Sequence, residues 1–461
     1  MSTEVDDRTG ALEARRLGSA LVAVALTGAV IGSVGAPLIT AVATGLHVPL
    51  EAAQWTLTIT LFTGAIAGPV LGRLGTGPHR RTTILVTLAL VTIGGALTAL
   101  PLPFAALVVG RGLQGLGVAV GALLMSVARA HLPAERSAST ITALSVASTV
   151  GIGVGYPVIS LLDQLAGLRA AYALGFALSA AALVIAWRVL PPENPGARPQ
   201  IDVIGAVLLG LGTLGVLLVI AEPALWANPW AGAGILAAAV AILAVWAVVE
   251  LRSAAPLVDL RLLGQGPVVR ANAAMLIAGV GMYLLFSLLT RYVQTPADAH
   301  YGFALPGVAA GAALIPFSLS GFVAGKVLRG RIAQRGAYVL SAAAVVIAAV
   351  VFAVASGSLV VVLIAMAVLG FGVGGVAAVM PGLVLAGVPQ AETASVLSIN
   401  QIVRSIGFSI GSALAGFLLA AATPGGALLP AQDGYTAAAL WSVPPLVASA
   451  LIVTCKHRAI R

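Results

Sequence analysis

Charge is what this 461-residue chain has least of: Asp, Glu, Lys and Arg make up 8% of it, against 60% hydrophobic residues. A soluble fold of that size would have too few polar groups to coat its surface. Aromatics are sparse at 5%, and Cys455 is the only cysteine, which excludes an intramolecular disulfide and any multi-cysteine metal or iron–sulfur site. A Gly-x-x-x-x-Gly-Lys phosphate loop is missing, which argues against ATP drive within the chain, and so is a Gly-x-Ser-x-Gly nucleophile elbow. The five histidines are scattered among loops and ends with no metal-ligand spacing. The expectation is a chain without catalytic residues, cofactor or metal site, and not an enzyme.

What is present is long apolar runs. A hydrocarbon core of roughly 30 Å needs about 20 apolar residues as helix. Such runs lie near 17–42, 52–74, 82–100, 104–130, 137–163, 168–189, 202–221, 229–251, 268–292, 303–327, 335–356, 358–388, 393–422 and 434–455. The predicted fold is an all-α integral membrane protein with fourteen transmembrane helices. Basic residues fall in alternate gaps: 20 of the 24 lie in the gaps and tails that are cytosolic if the N-terminus is, with Arg169 and Arg291 outside and Arg111 and Arg404 within helices. That asymmetry predicts a multi-pass protein of the cell membrane with both termini cytosolic. It also accounts for the net charge of +9, which then speaks for contact with anionic lipid and not for nucleic acid. The polar start, 1–16, leads into the first run without an Ala-x-Ala-like site and reads as a cytosolic tail.

The chain also repeats itself. Moving 256 residues on from Pro133, Ala138, Ser139, Gly151 and Gly155 reaches Pro389, Ala394, Ser395, Gly407 and Gly411. At nearly the same offset, Gly115, Gly117 and Met125 find Gly370, Gly372 and Met380. Two parallel six-helix repeats plus an inserted helix pair follow from this. The expected organisation is a cytosolic tail at 1–16, a six-helix bundle at 17–190, a linker with two extra transmembrane helices at 191–260, a second bundle at 261–455 and a cytosolic tail at 456–461. Gly151 with Gly155, and Gly407 with Gly411, each bare one helix face for close packing, expected between pseudo-equivalent helices. Pro37, Pro69, Pro157, Pro316 and Pro381 permit bending. Trp55, Trp226, Trp230 and Tyr292 near helix ends read as interface anchors.

Three stretches resemble signatures of the major facilitator superfamily. Gly72-Arg73-Leu74-Gly75-Thr76-Gly77-Pro78-His79-Arg80-Arg81 resembles its Gly-x-Leu-x-Asp-Arg-x-Gly-Arg-Arg loop. Gly110-Arg111-Gly112-Leu113-Gln114-Gly115 is similar to the second, with its Arg and Gln-Gly pair. Gly151-Ile152-Gly153-Val154-Gly155-Tyr156-Pro157 resembles the third, which marks antiporters in that superfamily. With fourteen runs, the resemblance implies the drug:proton antiporter subgroup. The chain departs from it at Thr76, Gly77 and His79, where the family has Asp, Arg and Gly, so the cytosolic latch that the Asp helps to form must be weaker here or built otherwise. Pro157 also stands one place late, and Ile159-Ser160 replaces a closing Gly-Gly.

A charge near the bilayer centre costs at least ~2.5 kcal/mol and is retained mostly where it faces a cavity or a partner. Arg111 and Arg404 are the two candidates. Arg111 is expected beside the translocation path with Gln114, and Asn400, Gln401 and Arg404 form a polar stripe suited to a water-filled cavity. None of the 15 carboxylates lies near a helix centre, and the first helix, where the family's usual proton carrier sits, has only Thr27, Ser33 and Thr40. Asp163, then Glu51, both at outer helix ends, are the candidates for coupling, and no central anion is available to pair with a strongly cationic cargo. The expected function is export of amphipathic or apolar small molecules in exchange for protons, by a monomer whose other partners are membrane lipids. An ion-coupled uptake carrier and a non-transporting scaffold or sensor remain open.

Overall fold

The computed structural model describes residues 2–48, 50–75, 79–192, 202–221, 229–253, 256, 260–263, 266–296, 301–328, 330–423 and 430–455. The tail at 456–461 and Trp226 lie outside them. Every regular element among the described residues is helical. They comprise α1 (Ser2–Ser33), α2 (Gly35–Leu46), α3 (Leu50–Leu74), α4 (Arg80–Ala99), α5 (Phe104–His131), α6 (Ala134–Val189), α7 (Val203–Ala221) and α8 (Pro229–Arg252). There follow α9 (Leu260–Leu263), α10 (Gly266–Gln294), α11 (Gly307–Ala312), α12 (Ile315–Val327), α13 (Gln334–Ala355) and α14 (Leu359–Val384). A 3₁₀ turn at Gln390–Glu392 leads into α15 (Thr393–Ala421), α16 (Gln432–Leu440) and α17 (Val443–Thr454).

Twelve helical stretches among the described residues are long and apolar enough to cross a membrane, and Val203–Val216 is a shorter apolar helix. Three expected single runs are broken in two, each beside proline: α1 from α2 ahead of Pro37, α11 from α12 ahead of Pro316, and α16 from α17 ahead of Pro444 and Pro445. Proline has no N–H to donate and its ring clashes with the carbonyl one turn earlier. Pro69, Pro157 and Pro381 instead stay within α3, α6 and α14. The 56-residue α6 is interrupted at Gly167, whose φ of 81° and ψ of 172° no continuous right-handed helix contains, so it has two limbs.

The chain forms two compact units, one of 1–206, 254–258 and 387–399, the other of 207–253, 259–386 and 400–461. In the first, one apolar cluster joins Leu21, Ile84, Leu124, Ile141 and Ala394, and another joins Val34, Leu38, Leu107, Ile159 and Tyr172. In the second, α7 packs on α8 where Gly215 leaves room for Ala239. Tyr292 there is 1% exposed, ringed by Tyr301, Phe303, Phe352 and Tyr435 at 5.1–5.9 Å. It is therefore an element of an aromatic box and not an interface anchor, because its neighbours come from loops and helices remote in sequence. Trp55 and Trp230 are exposed, as anchors are.

The glycine pairs also dock differently from expectation. A methyl at Gly151 or Gly155 would collide with Ala29 or Ser33 of α1, and one at Gly407 would lie 2.5 Å from Leu276 O of α10, with Gly411 against Val280 and Leu284 of the same helix. The first pair thus packs on α1 and the second on α10, each within its own unit and not on its pseudo-equivalent.

Candidate functional site

Arg111 sits in the first unit on α5, a helix pinched between two others. A methyl at Gly110 would lie 2.6 Å from Gly94 O of α4, and one at Gly115 would overlap Thr60 and Thr63 of α3. Glycine is what lets these backbones meet, and the contact is sealed by hydroxyls: Thr60 donates to Arg111 O at 3.0 Å and Thr63 to Gly112 O at 2.7 Å. Their neighbourhood holds Arg111 completely buried, at 0% exposure. Its guanidinium donates through Nε to Thr56 O at 3.1 Å, and through Nη1 to Gln114 Oε1 at 2.7 Å and to Ile31 O at 3.4 Å. Gln114 in turn donates to Thr98 Oγ1 at 3.5 Å. Arg111 and Gln114 are thus brought together as expected, and α1, α3 and α4 contribute the surround.

Sequence reasoning missed Tyr172, on the second limb of α6. It is fully buried and close enough to Arg111 for their charges to couple. The signal was thin, a single tyrosine in a run of apolar residues. Gly175, one turn on, faces α5: a methyl there would make an ordinary contact with Gln114 Nε2 at 3.7 Å. Asp163 lies near the end of the first limb, partly buried, and its charge reaches Tyr172. It makes no ion pair among the described residues. Arg169 donates to the carbonyls of Thr98, Leu100 and Leu102, tying the α4–α5 turn to α6. Glu51 is the second residue of α3, but its side chain lies outside the described residues.

At the opposite end of α5, the first unit shows what stands in for the departed loop signature. Thr76 and Gly77 lie outside the described residues, whereas Gly72, Arg73, Arg80 and Arg81 are described. Arg73 pairs with Glu392 at 3.8 Å. Gly72 packs on Ala394 and Ser398, where a methyl would lie 3.2 Å from Ser398 Oγ. Arg129 donates to Thr393 Oγ1 at 2.7 Å and to Val388 O at 2.9 Å, and Gln390 returns a bond to Arg129 O at 2.8 Å. Arg81 donates to Leu190 O at 3.1 Å and Trp187 O at 3.0 Å, and Arg80 is buried. Segment 387–399 is so held by Arg73 and Arg129, of which only the first belongs to the recognisable signature.

In the second unit the polar stripe of α15 divides. Asn400 is 8% exposed and committed to a helix–helix bond, donating to Asn272 Oδ1 at 2.9 Å, while Asn272 donates to Val268 O of its own helix. Gln401 and Arg404 are partly buried, and Gln401 O accepts from Ser405 at 3.0 Å. Arg404 lies over the Phe408 ring at 5.8 Å, and Phe408 stacks on Tyr283 at 5.0 Å and 24°. Tyr283 continues to Phe286 at 5.4 Å and then to Phe317 at 5.2 Å. A guanidinium heading a ladder of four rings suits flat, apolar or amphipathic molecules.

The sequence pattern of the Major Facilitator Superfamily matches residues 20–412. The chain is 28% identical over 321 residues to the lincomycin resistance protein of Streptomyces lincolnensis, covering 66% of this chain and 63% of that protein. It is 27% identical over 302 residues to the methylenomycin A resistance protein of Bacillus subtilis (63% of this chain, 61% of that protein), and 30% identical over 267 residues to the cephamycin export protein CmcT of Amycolatopsis lactamdurans (54% of each). The matches span less than two thirds of these relatives' lengths. Among solved structures, the human organic anion transporter MFSD10 superposes with a TM-score of 0.65 at 16% identity, over 96% of this chain and 99% of that one. Helices long enough to cross a bilayer and the match over residues 20–412 agree: the chain is a multi-pass membrane protein and belongs to the major facilitator superfamily.

Proposed function

We propose that the protein exports amphipathic or apolar small molecules by alternating access, in exchange for protons, as a monomer in the cell membrane with both termini cytosolic. Counting the two limbs of α6 separately and α7 as a crossing gives fourteen spans, read as two six-helix repeats with α7 and α8 inserted. The buried Arg111 carries this reading: a cation kept in an apolar interior against its insertion cost marks a working site more often than a structural one. The direction follows the resistance and export proteins it resembles, and the ring ladder under Arg404 suits such cargo.

An efflux-deficient bacterial host expressing the chain and challenged with a chemical panel tests export. Resistance to apolar members is expected, whereas dye accumulation in expressing cells would reverse the direction. In inverted vesicles, Arg111→Ala should abolish transport at unchanged membrane abundance, and Arg111→Lys should recover only part, since an ammonium cannot reproduce the guanidinium fork. For coupling, Asp163→Asn should lose substrate-induced proton release. If release persists at the wild-type ratio, Asp163 is not the carrier and Glu51 is the next candidate.

A further inference from the structure

The clamp on Arg111 leaves one of its donors over. Nη2 is buried without a hydrogen-bond partner, and so is Oη of Tyr172. The Thr56 hydroxyl stands beside the phenol and itself donates to Ala53 O at 2.7 Å. Buried polar atoms in native proteins are nearly all satisfied, so two orphans in one cluster require a missing partner. The chemistry of the two atoms says what that partner is. A guanidinium nitrogen can only donate, and a phenol can donate to the same atom, so the partner is an acceptor. Everything Arg111 does touch is neutral: two carbonyls and an amide oxygen. Among the described residues no carboxylate pairs with it. Water would satisfy the hydrogen bonds but leave a full positive charge uncompensated in an apolar interior, which is the costly arrangement. An anion satisfies both.

We propose that Arg111 Nη2 and Tyr172 Oη form an anion-binding subsite in the first unit, filled by a carboxylate carried on the transported molecule. The identification of the occupant as cargo rests on the transport reading; the subsite itself does not. Gln114 supports it by holding Nη1 at 2.7 Å, which aims the guanidinium fork. Since both donors are completely buried, the anion enters only when the helices around α5 part.

The test uses the purified full-length protein in lipid nanodiscs, in chloride-free and carboxylate-free sodium methanesulfonate at constant ionic strength, titrated with sodium acetate or sodium chloride while melting temperature is followed. Acetate is expected to stabilise the wild type saturably. Tyr172→Phe, which keeps the ring, should weaken the apparent affinity about tenfold, the loss of one charge-assisted bond, and Arg111→Gln should remove the response. Saturation by acetate but not chloride supports a carboxylate source, and saturation by both supports the subsite with a free inorganic anion as its occupant. Equal responses of wild type, Tyr172→Phe and Arg111→Gln, or no response, would overturn the proposal. So would binding seen only in Asp163→Asn or Glu51→Gln, because the counter-charge would then be internal. A panel of exported compounds, each paired with its neutral amide, gives the transport arm: export of acids and amides alike overturns the cargo assignment while leaving the exporter reading intact.

Discussion

In the first unit, α5 meets α3 at Gly115 and lies over α4 at Gly117; in the second, α14 meets α12 at Gly370, against the Phe317 backbone, and α13 at Gly372, where a methyl would lie 2.6 Å from Ser341 O. Each unit thus holds one helix between two others, tightly at Gly115, Gly370 and Gly372 and in ordinary contact at Gly117. What fills it differs. In the register set by those glycines, Met366 stands where the first unit has Arg111 and Leu369 where it has Gln114, all four buried to 2% exposure or less. One unit spends its pinched helix on a clamped cation and the other on apolar packing, so the glycine scaffold serves helix packing and the chemistry is an addition to it.

Exchanging the two residues breaks this contrast most severely. Met366→Arg puts an uncompensated cation in an apolar position and should cost at least ~3 kcal/mol, seen as loss of monodisperse protein in size-exclusion chromatography. Arg111→Met is the asymmetric partner. Replacing a buried charge by a hydrophobe of similar length changes stability by about 2 kcal/mol at most, in either direction, while transport is abolished. Should both swaps lower the melting temperature equally, Arg111 is structural.

The glycines sharpen it next. Gly372→Ala should destabilise by about 1–3 kcal/mol, since Ser341 O and Val345 must move. Gly117→Ala, whose added methyl meets only the Val91 methyls at 3.5 Å and beyond, should be within ~0.5 kcal/mol of wild type by the same thermal melts. Arg129→Ala in the first unit removes two donated bonds, one to Val388 O and one to Thr393 Oγ1. It should cost about 1–2 kcal/mol and raise amide exchange across 387–399, with the rest of the unit unchanged.

A modest, pH-dependent effect belongs to the aromatic box of the second unit. The Tyr301 phenol donates to Pro430 O, and burial, with Tyr435 and Tyr292 beside it, pushes its pKa from 10.0 up to about 12. The neutral phenol is the form the fold favours, so its contribution is complete below pH 10 and is lost as pH rises through 12. Tyr301→Phe should cost about 1 kcal/mol at neutral pH and remove that alkaline sensitivity from the melting curve.

Much of this was legible in the chain. The twelve long spans fall on the apolar runs, and the Arg111–Gln114 contact follows from two residues one turn apart on a helix. Tyr172 was not, since nothing in its local sequence distinguishes a phenol beside a cation from one in lipid. Nor was Arg129, which reads as one more basic residue at a cytosolic helix end until Val388 and Thr393 are found against it. Asn400 was legible as polar but not as spent, because Asn272 lies on another helix.

The sequence by itself determined that the chain spans a membrane, roughly where its helices run and where proline bends or breaks them. Bilayer thickness and the cost of unpaired backbone and charge act on each segment alone, so a one-dimensional pattern records them. Only the tertiary structure decided that Gly151 and Gly155 face α1, that 387–399 lies in the first unit, and that Arg111 keeps one donor free beside an unpartnered phenol. Those facts depend on which residues, distant along the chain, come within 3–4 Å of one another, and in a sequence so uniformly apolar many helix faces would pack comparably well until glycine contacts and hydrogen bonds choose among them.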